Sequence, residues 1–265
     1  MNPWFGLLLV WLLAALMMTL GWRWQRRHAN TGIVDVLWAA GVGGGALLLA
    51  LLGGGAPVPR LVLALAGGLW GLRLARHLWR RVAHEPEDGR YRALREHWQG
   101  DQRKLFGFFQ LQALLVPLFA LPFVAVAANA TTAPPWLLAG AAIWLAGMLG
   151  EAVADAQLAR FRADPRQRGR TCREGLWRYS RHPNYFFEWL HWFAYVAFAA
   201  GSPLAWLAWS GPLLMLLFLR YVSGIPYTEA QALRTRGEDY RAYQRSTPML
   251  FPWFPKHPRD PRTER

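Results

Sequence analysis

The sequence predicts an all-α integral membrane protein with seven spanning helices, its N-terminus outside and a polar site at the cytoplasmic side. Three observations predict it. Of 265 residues 54% are hydrophobic, and they gather into runs of about 20, the length that crosses a bilayer core. Lys and Arg fall in segments that alternate along the chain, with Arg60 as the exception. The few ionisable residues inside the runs converge on one depth.

The runs cover residues 3–20, 32–52, 61–79, 105–128, 134–154, 185–200 and 203–222. The first lacks the basic start and small-residue cleavage site of a signal peptide, so it reads as a mature helix. With the N-terminus outside, Arg23, Arg26 and Arg27 lie inside, as do the basic stretches 73–104, 160–181 and 220–265. That is the positive-inside pattern, and it accounts for much of the +14 net charge without nucleic acid. The expected partners are the bilayer and a lipophilic small molecule, with no protein partner indicated. The whole chain, 1–265, reads as one membrane-embedded domain, and the tail 223–265 is too short to fold alone. Cys172, the single cysteine, excludes an internal disulfide and a thiolate metal cluster, and no His or carboxylate spacing points to a metal. Asn129 in "NAT" fits a glycosylation acceptor pattern. Trp4, Trp22, Trp24, Trp136 and Trp253 are placed to anchor the membrane interfaces.

Polar groups inside lipid cost free energy and tend to mark a site. Asp35 lies near the start of the second run, in "TGIVDVLWAAG". Glu151 and Asp155 end the fifth at i, i+4, and Arg162 continues that face. Asn184, Glu188 and Tyr195 share a face of the sixth, flanked by His191 and Trp192; Arg73 and Arg76 end the third. The plain alternative is a set of helix-end ion pairs with snorkelling arginines. Gly41 with Gly45, and Gly67 with Gly71, are spaced for close helix packing.

Between the fifth and sixth runs, "LARFRADPRQRGRTCREGLWRYSRHPNY" carries eight arginines from Arg160 to Arg181. Guanidinium forks match phosphate oxygens, so the segment suits a polyphosphate. Ser180 is placed to cap the sixth helix, and Pro183 sits in its first turn. In the tail, a helix or helix pair over 228–244 sets Arg234, Arg236, Arg241 and Arg245 among Tyr227, Tyr240 and Tyr243. That pattern suits an adenine ring beside phosphates, and equally an interfacial helix on anionic lipid.

"GLWRYSRHPNYFFE" resembles the signature of bacterial membrane reductases related to the steroid 5α-reductases and, more distantly, the sterol C14- and C24(28)-type reductases. The resemblance runs from about Thr31 and includes "VDVLW", "EDGRYRALREHW", Glu151 with Asp155, and "GEDYRAYQRSTPMLFPWFP". It implies a seven-helix enzyme that uses NADPH to reduce a carbon–carbon double bond conjugated to a ketone. It implies cofactor contacts from Asp155, Arg162, Arg170, Tyr179, Arg181, His182, Asn184, Glu188 and Arg220, and in the tail from Tyr227, Glu229, Arg236 and Tyr240.

On the catalytic side the family pairs a glutamate with a tyrosine to hold the ketone. Asp35 matches the glutamate. The third run has no matching tyrosine, and the nearest is Tyr91, in what reads as the following loop. The expected reaction is hydride transfer to the β-carbon of an enone, with a protonated Asp35 donating a hydrogen bond to the enolate oxygen. The plain reading of Asp35 is a helix N-terminal charge favoured by the dipole. "RHPxY" and "TEAQALRTRGEDYRAYQR" also resemble membrane methyltransferases of the isoprenylcysteine type. Those bind S-adenosylmethionine, a cation without phosphates, which an arginine-rich pocket suits poorly. A non-enzymatic lipid-binding protein would explain the basic surface but not the polar cluster.

Overall fold

The structure, a computed structural model, describes residues 2–222 and 224–256. Helix makes up 79% and strands are absent from the described residues, so the fold is all-α. The helices are α1 (Pro3–His28), α2 (Ile33–Leu52), α3 (Pro57–His84), α4 (Gly89–His97), α5 (Gln102–Phe119), α6 (Leu121–Ala127), α7 (Pro134–Ala163), α8 (Pro183–Phe198), α9 (Ser210–Leu217), α10 (Ile225–Arg236) and α11 (Glu238–Ser246).

Among the described residues six helical stretches are long and apolar enough to cross a membrane: Pro3–His28, Ile33–Leu52, Pro57–His84, Gln102–Ala127, Pro134–Ala163 and Ala205–Arg236. The expected run at 185–200 becomes α8, only 16 residues long. The expected runs at 3–20, 61–79 and 134–154 all continue further as helix, because their basic ends keep good helix formers after the apolar stretch stops. The run at 105–128 is interrupted at Ala120, just after the proline at Pro117, which cannot donate to the helical ladder. The run at 203–222 is also irregular, passing from a 3₁₀ turn at Ala205–Trp209 through α9 to a π-helical turn at Phe218–Val222. Leu8, Leu12, Leu13, Leu16 and Leu20 of α1 stay exposed, a face suited to lipid rather than water.

The described chain forms two compact units: Met1–Gly140 with Ala194–Gly211, and Ala141–Phe193 with Pro212–Arg265. In the first, α2 packs along α3 and α1 packs on α2 and α5. Trp38 sits edge-on to both Trp70 and Phe119, at 6.1 and 5.1 Å between ring centroids. Polar groups on the apolar helices are paired inside the unit: Gln110 donates to the Thr19 hydroxyl at 3.0 Å and Gln25 to Gln102 at 2.9 Å. Arg60, the exception to the charge pattern, donates to the carbonyls of Ala50 and Leu51 at 2.6 and 2.8 Å. It therefore satisfies carbonyls at the C-terminal end of α2. Asn129 is buried; its amide nitrogen donates to Phe198 and Ala200 and its oxygen accepts from Thr131. That use of the side chain leaves no room for the glycan its sequence pattern permits.

The close approach of α2 and α3 runs through Gly43, while Gly41 and Gly45 serve close packing against other helices, as their spacing predicts. A Cβ on Gly43 would lie 2.8 Å from the Gly71 Cα, and one on Gly67 would lie 2.3 Å from the Ala46 Cβ. Gly41 instead faces Met17 and Val116, and Gly45 faces Val10. Gly43→Ala is expected to lower the melting temperature of the detergent-solubilised protein, at a cost of about 1–3 kcal/mol. Gly44→Ala, which meets nothing within 4 Å, should lose none; equal melting of the two would contradict the packing.

Candidate functional site

The first unit holds a carboxylate–phenol pair. Asp88 caps α4 by accepting from the Arg90 amide at 2.9 Å, and the helix it starts carries Arg90 and Tyr91. Tyr91 is therefore helical rather than in a loop, and it is buried. Its hydroxyl donates to Asp35 Oδ1 at 2.5 Å, while Arg90 Nη2 donates to Asp35 Oδ2 at 3.3 Å. Asp35 stands in the first turn of α2, where the helix dipole also favours its charge. Beside the pair lies a small cavity of about 30 Å³, walled in part by Asn30, Gly32, Arg81, Val82 and Glu85. Burial, and then the charge of Asp35, push the Tyr91 phenol well above its ordinary range, so it keeps its proton.

The second unit holds the arginine-rich segment and the tail. Gly147 and Gly150 of α7 let α8 approach so closely that added Cβ atoms would lie 2.6 Å from His191 and 2.3 Å from the Phe187 ring. "GLWR" forms a 3₁₀ turn at Gly175–Arg178; Gly175 has φ +57° and its Cβ position is filled by the Gln157 amide. The Gln157 oxygen accepts from the Leu176 amide at 2.9 Å, and the Trp177 indole donates to the Ala154 carbonyl at 2.9 Å. Ser180 does not cap α8. Its hydroxyl accepts from the His182 amide and donates to the Leu250 carbonyl at 2.8 Å, fastening the tail, while Pro183 opens the helix as expected.

Arg181 and Glu229 close a clasp between the start of α8 and the tail. Arg181 Nε donates to Glu229 Oε1 at 2.7 Å, and Nη1 donates to the Gln244 and Thr247 carbonyls at 3.1 and 2.7 Å. Gln244 donates to the other Glu229 oxygen at 2.8 Å, and His182 Nε2 lies 3.2 Å from Glu229 Oε1. Burial pulls the His182 imidazole below its ordinary value, which Glu229 only partly offsets. The Tyr243 hydroxyl donates to the Trp177 and Ser180 carbonyls, and Tyr240 is buried in the same tail core with Ala232. So Arg181, His182, Glu229 and Tyr240, expected as cofactor contacts, spend their polar groups or their surface within the protein.

A second set of candidates surrounds a cavity of about 150 Å³. Its walls are Arg162, Arg168, Arg170 and Arg236 with Gln167, Gly169 and Cys172, over a floor of Leu158 and Phe161. No carboxylate lines it. Elsewhere in this unit, Asn184 donates to Asp155 Oδ1 at 3.2 Å, and its own buried oxygen has no hydrogen-bond partner among the described residues. One turn on, Glu188 accepts from the Trp192 indole at 3.4 Å. Arg220 lies in the π-helical turn with its guanidinium 4.9 Å from the Tyr221 ring, and Tyr179 stands edge-on to Phe254. Tyr227 is half-buried on α10.

The chain matches the family described as "Protein of unknown function (DUF1295)" over residues 21–247. It belongs to that family. Curated proteins and solved structures give no match. The matched stretch contains every candidate above, from Asp35 to Tyr240, and it ends at Thr247, the last residue that Arg181 grips. Sequence reasoning missed Arg90, Asp88 and Arg168. The helix-capping position of Asp88 before "GRYR" was a usable signal for the first two; Arg168 had none beyond its place in the arginine run.

The clasp and the cavity predict opposite costs for losing an arginine. Arg181→Ala strands a Glu229 whose side chain is 16% exposed, and should destabilise the protein by about 3 kcal/mol or more. Arg170→Ala, at an exposed cavity wall, should stay within about 0.5 kcal/mol. Thermal unfolding without added ligand reads both, and equal losses would contradict the division.

Proposed function

We propose that this protein is a membrane reductase that binds NADPH and saturates the carbon–carbon double bond of an enone lipid, with a 3-oxo-4-ene steroid or a similar lipid as the substrate class. The observation that carries the reading is the cavity walled by four arginines and no carboxylate. Guanidinium forks favour phosphate over an organic cation, and the cavity has room for a phosphate and part of its ester. The unpartnered Asn184 oxygen suits the amide N–H of a nicotinamide. The resemblance of the central motif and the relation of the family to steroid 5α-reductase-like proteins point the same way. The proposal includes α8 as a seventh, short span, an outside N-terminus, and a site open to the cytoplasm of a bacterial inner membrane.

NADPH, when bound, supplies a hydride for the β-carbon of the enone. Arg162, Arg168, Arg170 and Arg236 would hold its phosphates, and Asn184 with Glu188 its amide. Arg181 and Glu229 support the fold of that region through the clasp. The Asp35–Tyr91 pair takes the substrate carbonyl oxygen and stabilises the negative charge that gathers there, an effect typically worth about 3–4 kcal/mol. A solvent proton then reaches the α-carbon, giving the saturated ketone.

The test is reduction of a 4-en-3-one steroid with NADPH deuterated at C4 of the nicotinamide. Deuterium is expected at the β-carbon of the product. Tyr91→Phe and Asp35→Asn should each lower kcat by about 100-fold or more with NADPH affinity unchanged. Arg236→Ala should weaken NADPH by about 10-fold or more. No label in any reduced product across a panel of steroid and open-chain enones would contradict the reading.

A further inference from the structure

Each oxygen of Asp35 already accepts a hydrogen bond, one from Tyr91 and one from Arg90. Arg90 is itself fixed. Its Nε and Nη2 donate to the two oxygens of Asp88, both at 3.1 Å, and its guanidinium lies 5.3 Å from the centre of the Tyr91 ring. Arg81 adds a contact to Asp88 at 3.5 Å. For Asp88, burial raises the carboxyl, but the hydrogen bonds and charge of Arg90 outweigh it and hold the group below its ordinary value. The arrangement is therefore a chain: Asp88 aims Arg90, and Arg90 braces Asp35 while lying over Tyr91. The charged and titratable groups facing Asp35 are Arg81 and Glu85 of α3, Asp88 before α4, and Arg90 and Tyr91 on it.

A phenol has one hydrogen to donate, and Tyr91 gives it to Asp35. A carbonyl oxygen arriving at the pair needs a donor too. One more proton on the pair meets that need: the acid then donates to the Tyr91 oxygen, and the phenol turns its hydrogen to the substrate. The Asp35 side chain is 30% exposed and bonded to a guanidinium, a contact that favours the carboxylate against the cost of burying its charge.

We propose that Arg90 is a positioning residue that holds Asp35 as a carboxylate in the resting protein, so that the Asp35–Tyr91 pair must take up one proton from solvent before it can hold a substrate carbonyl. The carbonyl step rests on the reductase reading; the state of Asp35 does not. No electron moves in this step. The proton enters from water, remains in the pair as a hydrogen bond to the enolate oxygen, and leaves the balance of the reduction unchanged. A merely structural Arg90 would alter stability and leave the protonation of Asp35 where it was.

Infrared difference titration of the whole protein in detergent reads this directly, with the carboxylic-acid C=O band of Asp35 identified by its loss in Asp35→Asn. In the wild type the band should be absent at pH 7 and appear on acidification. In Arg90→Gln it should appear about 1–3 pH units higher, and in Arg90→Lys it should return towards the wild-type position. The alkaline limb of kcat/KM for enone reduction should move the same way as the band. An Asp35 band already present at pH 7 in the wild type overturns the proposal without any variant. So does an unmoved band in a folded Arg90→Gln protein. A band that shifts as expected while no enone is reduced by any form upholds the role of Arg90 in holding Asp35 and removes the reductase reading.

Discussion

A polar group at the depth of a lipid-facing helix has no water to fall back on, so it must find its partner inside the protein. That constraint shapes both units. In the first, Gln110 meets Thr19, Arg60 meets the end of α2, and Asp35 meets Tyr91 and Arg90. In the second, the same demand produces the clasp, where one guanidinium gathers a carboxylate and two carbonyls from the tail. In the second cavity Arg162, Arg168, Arg170 and Arg236 gather on one wall that no carboxylate lines. A surplus of donors at a concave place is the property that an anionic ligand would use.

Much of this was legible in the sequence because hydrophobic length and charge position act locally. The helical runs follow from apolar stretches, whereas the irregular course of 203–222, from a 3₁₀ turn through α9 to a π-helical turn, was not legible as anything but one more span. Helix phase was harder to read: "GVGGGA" offers several glycines, and only the facing helix decides that Gly43 meets Gly71. Tyr91 could be named as the nearest phenol to Asp35 but not placed. It lies 56 residues away in the chain, and a cap at Asp88 with a short helix brings it to 2.5 Å. The tail was read as a helix or a helix pair, and it is a pair, turning at Gly237 with φ +51°. That Arg181, His182 and Glu229 hold one another was hidden, because a run of arginines does not show which of them are spoken for internally.

The division of the arginines changes how "GLWRYSRHPNYFFEWL" is understood. Its two arginines, histidine and asparagine do not act as one group. Arg181 and His182 anchor the tail, Trp177 and Ser180 accept the Tyr243 hydroxyl on their carbonyls, and Asn184 turns instead to Asp155 on α7. A motif with that composition is therefore both a structural knot and the edge of a candidate site. Substitutions within it will divide by which of those two roles the side chain serves.

The ligand that the four-arginine cavity accepts decides between hydride and methyl transfer. The most direct measurement is thermal stabilisation of the purified protein by NADPH, NADH and S-adenosylmethionine in parallel. A ligand at one hundred times its dissociation constant stabilises by about 2.7 kcal/mol. The account predicts stabilisation by NADPH, less by NADH, and none by S-adenosylmethionine. Stabilisation by S-adenosylmethionine alone would contradict it and move the protein to methyl transfer.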